Sequence, residues 1–245
     1  MKKTVLIIPF IIVSLLGCGG EHQHEAHDDH DHSHHHGYDH DHEHDHDHDD
    51  HDANEHMNKM SFETLVENFE SPEREKWQKP NEVIKLLGEI EGKTIMDIGS
   101  GTGYFSFRMA DMGAKVISAD VDERFLNYIK EKADKEGEEN IEIRKTEYGD
   151  PLLKENEVDH VIIVNTYHHI HDRVDYFSKV LKGIKKGGSI MVVDFKMEET
   201  PQGPPKAHRM PSSKVLAELK KAGFSNLGVM PDMLENQYII GGFKL

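Results

Sequence analysis

Thr94-Ile95-Met96-Asp97-Ile98-Gly99-Ser100-Gly101-Thr102-Gly103-Tyr104 is a short apolar run that breaks into a glycine-rich turn. Apolar residues on both sides of Asp97 predict a buried strand over 94–98. Phe105, Met109 and Ala110 follow at helical spacing. Strand, glycine turn and helix form the unit with which α/β folds hold nucleotide-like ligands. The glycines let the chain turn tightly and bring bare backbone N–H groups against a ligand. The helix adds further unpaired N–H groups at its start. A purely structural strand-to-helix turn would not need three glycines.

Two features argue against a dinucleotide. Its fingerprint ends in Gly or Ala, whereas Tyr104 follows Gly103 directly. Asp97 also stands just ahead of the glycines, where a carboxylate would meet a pyrophosphate badly but suits a cationic ligand. The pattern Asp97-x-Gly99-x-Gly101-x-Gly103 resembles the first motif of the class I S-adenosylmethionine (SAM) dependent methyltransferases. The resemblance implies that Gly99, Gly101 and Gly103 pass close to the amino acid end of SAM and that Asp97 helps position it. Over roughly residues 60–245 the chain looks most like small-molecule enzymes of the ubiquinone/menaquinone and methyltransferase-11 type. The resemblance implies an α/β, Rossmann-like, seven-stranded and mostly parallel sheet flanked by helices.

A second strand over 115–119 runs into Asp120-Val121-Asp122. An acid about 20 residues beyond a glycine loop is placed to accept hydrogen bonds from ribose hydroxyls. Asp120, at the strand end, is the better candidate; Asp122 is placed to cap the next helix. After a third strand, 141–145, comes Tyr148-Gly149-Asp150-Pro151. In the resembling family an acid in this loop meets the adenine amino group, which fits Asp150, yet a simple turn uses the same residues. The fourth strand, 158–164, is apolar enough to be buried on both faces. It leads into Asn165-Thr166-Tyr167-His168-His169-Ile170-His171, beyond a strand's carboxyl end, where ligands bind in open α/β sheets. Asn165 is a candidate cofactor contact and His168 a candidate general base or acceptor contact. Helix capping or packing is the alternative role for His168, and adjacent His168 and His169 cannot easily turn toward one metal ion.

The remaining elements follow the same fold. Residues 61–69 form a helix, Ser71-Pro72 starts a second with Ser71 as its cap, and Pro80 opens a third. Trp77 and Gln78 are expected between helices, in a lid-like segment. A helix over 174–184, a turn at Lys186-Gly187-Gly188, and a strand over 189–195 come next. The proline-rich loop 200–211 is placed to wall a substrate with His208 and Arg209. A helix over 212–222 and strands over 224–230 and 237–243 end the chain.

The N-terminal part differs from all of this. Lys2, Lys3 and the apolar run Val5–Leu16 read as a secretion signal too short to span a bilayer comfortably. Leu15-Leu16-Gly17-Cys18 resembles the lipobox of bacterial lipoproteins, which implies cleavage at residue 17, a lipid on Cys18 and an exported, membrane-anchored protein. A buried cysteine beside an anchor helix is the alternative. Cys18 is the only cysteine, so no disulfide forms within the chain. Residues 21–56 carry 14 Asp and Glu, no Lys or Arg, and 15 of the 20 histidines. With little to bury, the stretch 18–56 is expected to be a disordered linker. Its His32, His34, His40, His42, His44, His46 and His48, interleaved with Asp, are ligand types for Zn²⁺ or Ni²⁺ held in weak, interchangeable sites. A solvated spacer is the plainer role, and the two are compatible.

Residues 57–245 then form the domain, with 32 acids against 27 bases. That balance shows no nucleic-acid-binding face, and the Asn-Pro-Pro-Tyr motif of amino-methylating nucleic acid enzymes is missing at Asn165–His168. Arsenic methyltransferases of this fold bind through cysteines, which the domain lacks. A small-molecule acceptor remains. SAM is cytoplasmic while the signal points outward, so a second reading stands beside the enzyme: a membrane-tethered metal-binding lipoprotein with a non-catalytic methyltransferase-like domain. A nicotinamide oxidoreductase is disfavoured by Tyr104 and by the lack of hydride-transfer residues.

Overall fold

The computed structural model describes residues 59–245. The signal segment, Cys18 and the histidines from His32 to His48 lie outside the described residues. Three helices open the domain: α1 (Phe62–Phe69), α2 (Glu73–Gln78) and α3 (Pro80–Lys85). There follow β1 (Thr94–Ile98), α4 (Tyr104–Asp111), β2 (Lys115–Asp120), α5 (Glu123–Glu136), β3 (Ile141–Lys145) and β4 (Val158–Val164). The last elements are α6 (Arg173–Gly183), β5 (Ile184–Phe195), α7 (Ser212–Lys221), β6 (Ser225–Met230) and β7 (Gln237–Phe243). The strands form one sheet in the order β3-β2-β1-β4-β5-β7-β6. The pairs from β3 through β5 are parallel, and β7 runs antiparallel to both β5 and β6. This is the predicted seven-stranded, mostly parallel arrangement. No helix among the described residues is long and apolar enough to cross a membrane.

Successive strand residues point to opposite faces, so each strand feeds two cores. Met96, Ile98, Ile117, Val161 and Ile163 pack with Phe177 and Val180 of α6 and Val215 and Leu219 of α7. Ile95, Val116, Ile162 and Val164 pack with Val83 and Ile84 of α3 and with Phe105 and Met109 of α4. That double burial is why β4 ends in the apolar run Val161–Val164. The chain order reverses between β1 and β4: β1 pairs β2 on one side and β4 on the other. The carboxyl ends of β1 and β4 therefore flank the crevice that such folds use for ligands.

Three local expectations are corrected. Ser71 does not cap α2: Pro72 holds that position, and no side-chain capping bond is present. Trp77 and Gln78 lie in the last turn of α2 rather than between helices. The expected turn at Lys186–Gly188 falls within β5, where pairing with β4 slips between Val158 and His160. A Cβ on Gly188 would sit 2.2 Å from the Asp159 carbonyl oxygen, so the two backbones are too close there for any larger residue. Asp122 caps α5 as expected, its side chain accepting the Arg124 N–H.

Candidate cofactor and acceptor site

The glycine loop is wedged between the ends of three strands. The N–H groups of Gly99 and Ser100 donate to the Ala119 carbonyl of β2 at 2.8 and 3.0 Å. On its other side a Cβ on Gly99 would lie 2.3 Å from the Thr166 side chain, which comes from the loop after β4. Gly99 also has φ +70°, where L side chains are strained. Only glycine satisfies both conditions, so the loop is tied to the reversal point of the sheet.

Asp120 ends β2 and turns its carboxylate to the same loop. One oxygen accepts the Gly101 N–H at 2.9 Å and the other accepts the Asp122 N–H at 2.9 Å. Burial pushes its pKa up, against those backbone bonds. Asp97 is buried as well and accepts a hydrogen bond from the Ser106 hydroxyl at 2.7 Å. Burial pushes its carboxyl to about 6, with Ser106 and the Arg74 guanidinium opposing the shift. Above the loop, Phe69 of α1 stacks on Phe125 with centroids 5.6 Å apart, and its ring would be 3.2 Å from a Cβ on Gly101. Tyr104 is held between two guanidiniums, Arg74 at 4.2 Å and Arg108 at 3.9 Å from its ring centre.

The second half of the site lies at the ends of β4 and β5. Asn165 takes the left-handed conformation and donates its N–H to the Val193 carbonyl at 2.8 Å. Its side-chain oxygen accepts from Gln237 of β7, whose own oxygen accepts from Gln78 of α2 at 3.0 Å. His168 sits in a 3-10 turn, Tyr167–His169, with Nδ1 at 2.9 Å from Asp194 at the end of β5. Asp194 is fully buried and also accepts the Phe195 N–H at 2.8 Å. As a carboxylate it can only accept, so the proton is assigned to Nδ1 and Nε2 keeps the lone pair. The His169 ring stands 4.3 Å from that of His168, and burial, with His168 as the next cause, pulls its pKa down to about 3. Trp77 packs on Phe195 with ring centroids 5.9 Å apart.

Asp97, Gly99, Gly101, Gly103 and Asp120 thus come together, and the turn that carries Asn165 and His168 meets them through Thr166, whose hydroxyl donates to the Gly99 carbonyl at 3.3 Å. Asp150 is used as a turn residue. Its carboxylate accepts the Leu152 N–H at 2.8 Å and lies 3.5 Å from Lys179. Arg209 is spent on backbone: its guanidinium donates to the carbonyls of Pro204, Lys196 and Glu198 at 2.7–3.0 Å, tying the proline-rich loop to the segment that follows β5. Asp194 is absent from the sequence reading, although an acid ending an apolar strand is the signal that marked Asp97 and Asp120. Gln237 and Arg74 gave no local signal. No group of three or more His, Cys, Asp or Glu among the described residues is arranged to hold a metal. Two clefts, of about 310 Å³ beside Leu126, Ile141 and Ile143 and about 300 Å³ beside Thr200 and Arg209, lie away from the glycine loop.

Comparison with known proteins agrees with this geometry. The family described as "Methyltransferase domain" matches residues 90–227, which is more than half of the chain. The chain belongs to this methyltransferase-domain family. A SAM-dependent methyltransferase from Aquifex aeolicus superposes with a TM-score of 0.71 at 26% identity, covering 76% of this chain and 100% of that one. A "Probable S-adenosylmethionine-dependent methyltransferase" of Mycolicibacterium smegmatis is 23% identical over 60% of this chain and 59% of its own length. Phosphoethanolamine N-methyltransferase 2 of Caenorhabditis elegans is 28% identical over 45% of this chain and 26% of its own. The chain thus spans less than two thirds of the length of these two curated relatives.

The residues present fit SAM. The glycine loop and the Asp120 carboxylate at the end of β2 stand together, with Asp120 accepting the Gly101 and Asp122 N–H groups. The Ser100 and Thr102 hydroxyls beside them are buried with no hydrogen-bond partner among the described residues. Buried hydroxyls left this way are costly and mark a place for a polar ligand.

Proposed function

We propose that the domain transfers a methyl group from SAM to a small-molecule acceptor. The observation that carries this reading is the Asp120 carboxylate closing onto the Gly101 N–H at 2.9 Å, which sets an acid and the glycine loop side by side. When bound, SAM supplies a methyl carbon already activated by a sulfonium. The protein's work is then to align the acceptor and exclude water. Gly99, Gly101 and Gly103 give the loop its close approach, Asp120 accepts the ribose hydroxyls, and Asp97 meets the cationic end. Phe69 shields the site from solvent. His168 is the proposed general base: with Nδ1 held by Asp194, its Nε2 takes the proton of an acceptor hydroxyl as the acceptor oxygen attacks. An acceptor that carries no such proton would not need His168.

Calorimetric titration of the full chain with SAM and separately with NADH tests this reading. Micromolar SAM binding, no NADH binding, and about a hundredfold weaker SAM binding in Asp120→Ala are expected from the loss of charge-assisted bonds. SAM affinity unchanged in Asp120→Ala would remove the assignment. Export with a lipid on Cys18 is proposed on the N-terminal sequence alone, and Cys18→Ser should abolish incorporation of labelled fatty acid. Loose Zn²⁺ or Ni²⁺ binding by the His-rich stretch is proposed on the same footing. Deleting residues 21–56 should remove most metal uptake and leave SAM affinity unchanged.

A further inference from the structure

Four side chains form a line from α2 to the turn after β4. Arg74 Nε donates to Gln78 Oε1 at 2.6 Å, and Gln78 Nε2 donates to Gln237 Oε1 at 3.0 Å. Gln237 Nε2 then donates to Asn165 Oδ1. Gln78 and Gln237 are shut off from solvent, so their amides must find partners inside the protein. The line also has a fixed sense. A guanidinium carries only N–H groups, so Gln78 must turn its oxygen to Arg74 and its nitrogen to Gln237. By the same rule Gln237 turns its oxygen to Gln78 and its nitrogen to Asn165. At the far end the Asn165 oxygen is spent, and its NH2 group is the part left to meet a ligand.

Asn165 is held firmly at that point. It is half-buried, and its backbone sits in the left-handed region at φ +57°, which asparagine tolerates better than most residues. Its Nδ2 makes no hydrogen bond among the described residues. The line ends beside the His168 pair. Across β5 and β7, Gln237 lies opposite Phe195 and Tyr238 opposite Asp194, so the supports of Asn165 and His168 are neighbours at one strand end. An asparagine that offered its oxygen would suit an amine, and here that oxygen is closed. We infer that Asn165 sets acceptor specificity, donating through Nδ2 to a carbonyl or carboxylate oxygen beside the hydroxyl that is methylated. This rests on the methyl-transfer reading above, with His168 as base, and adds the class of acceptor. Arg74, Gln78 and Gln237 are positioning residues that set the sense of the Asn165 amide.

Two neutral phenols separate this role from a structural one. The carbonyl of 2-hydroxyacetophenone can only accept a hydrogen bond, whereas the amine of 2-aminophenol donates. In titrations of the full chain with S-adenosylhomocysteine present, the wild type should bind the ketone about tenfold or more tightly than the amine. Gln78→Glu stays paired with Arg74 but can only accept. Gln237 and Asn165 must then turn over, and the preference should reverse. Asn165→Asp keeps its shape and the bond from Gln237 but offers oxygen in place of NH2. It should lose the ketone preference and hold SAM within about twofold of the wild type. A wild type that does not prefer the ketone, or binds neither phenol, overturns the inference. So does either variant that keeps the wild-type preference; if Gln78→Glu fails to fold, Asn165→Asp decides. A fall in SAM affinity with the ketone unaffected would assign Asn165 to the cofactor instead. A wild type that binds no SAM overturns the SAM reading itself.

Discussion

The two halves of the crevice are built from the same part and use it differently. Each has an acid at the carboxyl end of a buried strand: Asp97 and Asp120 on β1 and β2, Asp194 on β5. On the β1–β2 side Asp120 meets backbone N–H groups, and Asp97 meets a serine from the adjoining helix. The chain that builds this half is nearly continuous, from Thr94 to Asp122. On the β4–β5 side the acid meets an imidazole 26 residues away, and the turn beside it is held by Gln237 and Gln78 from opposite ends of the domain. One half is held mainly by backbone hydrogen bonds. The other is held by side chains on loops, where substitution disturbs the sheet less.

Asp194→Asn should separate the halves most sharply. An amide can present its N–H to Nδ1, which favours the other tautomer and removes the lone pair from Nε2. Turnover should fall about a hundred- to a thousandfold, the range of general acid–base catalysis, while SAM affinity stays within about twofold. Initial rates of labelled methyl transfer, read beside a SAM titration, give both numbers. A matching fall in SAM affinity would show the halves to be one unit.

Gly99→Val attacks the other half. A positive φ at a β-branched residue and a Cβ 2.3 Å from Thr166 add backbone strain to overpacking. The domain should lose about 3 kcal/mol in urea unfolding, and SAM binding should fall below detection. Thr166→Gly in the same chain should return part of the stability, because it removes the side chain that the introduced Cβ would strike. No recovery would place the cost in the backbone alone.

The same contrast explains what the sequence let one read. Strand, glycine turn and acid follow one another within 27 residues, and each obeys a local rule, so the placing of Asp97 and Asp120 beside the glycine loop was legible. So was the sheet, since β4 shows its double burial directly. His168 was legible only by its place after β4. Its partner Asp194 was not named, because pairing across β4 and β5 is a tertiary fact. Arg74 and Gln237 look like surface residues in sequence, one on a charged helix and one opening a strand. Asp150 shows the opposite case: Gly-Asp-Pro fits an adenine contact and a turn equally, and its carboxylate is used by the turn.

Acid should act on the two halves with opposite sign. Asp97, raised from 3.8 to about 6, is more costly to ionise in the fold than in the unfolded chain. Its penalty is complete above pH 6 and is relieved as pH falls toward 3.8. Asp97→Asn should therefore stabilise the ligand-free domain by about 2–3 kcal/mol at pH 8, with the gain gone near pH 4. SAM affinity should fall in the same variant. Equal stability of the two proteins at pH 8 would mean that Ser106 and Arg74 fully offset the burial.

His169 gives the smaller effect and the reverse sign. Its pKa is pulled down to about 3 from 6.5, so the folded domain keeps it neutral while the unfolded chain takes up a proton. The stability it confers is whole above pH 6.5 and is lost progressively as pH falls toward 3. The groups around it, His168, Asp194, His208 and His171, all belong to the acceptor half. His169→Gln, which cannot be protonated, should leave Tm at pH 7.5 within a few degrees of the wild type. At pH 5 the variant should have lost less of its own pH 7.5 value than the wild type has, by about 4–8 °C. In an Asp97→Asn background the wild-type histidine should make the acid loss steeper still, since the carboxylate that compensates it is gone. Parallel pH profiles for the single and double variants would show that the imidazole cluster takes up protons without opening, and that the acceptor half is the softer of the two.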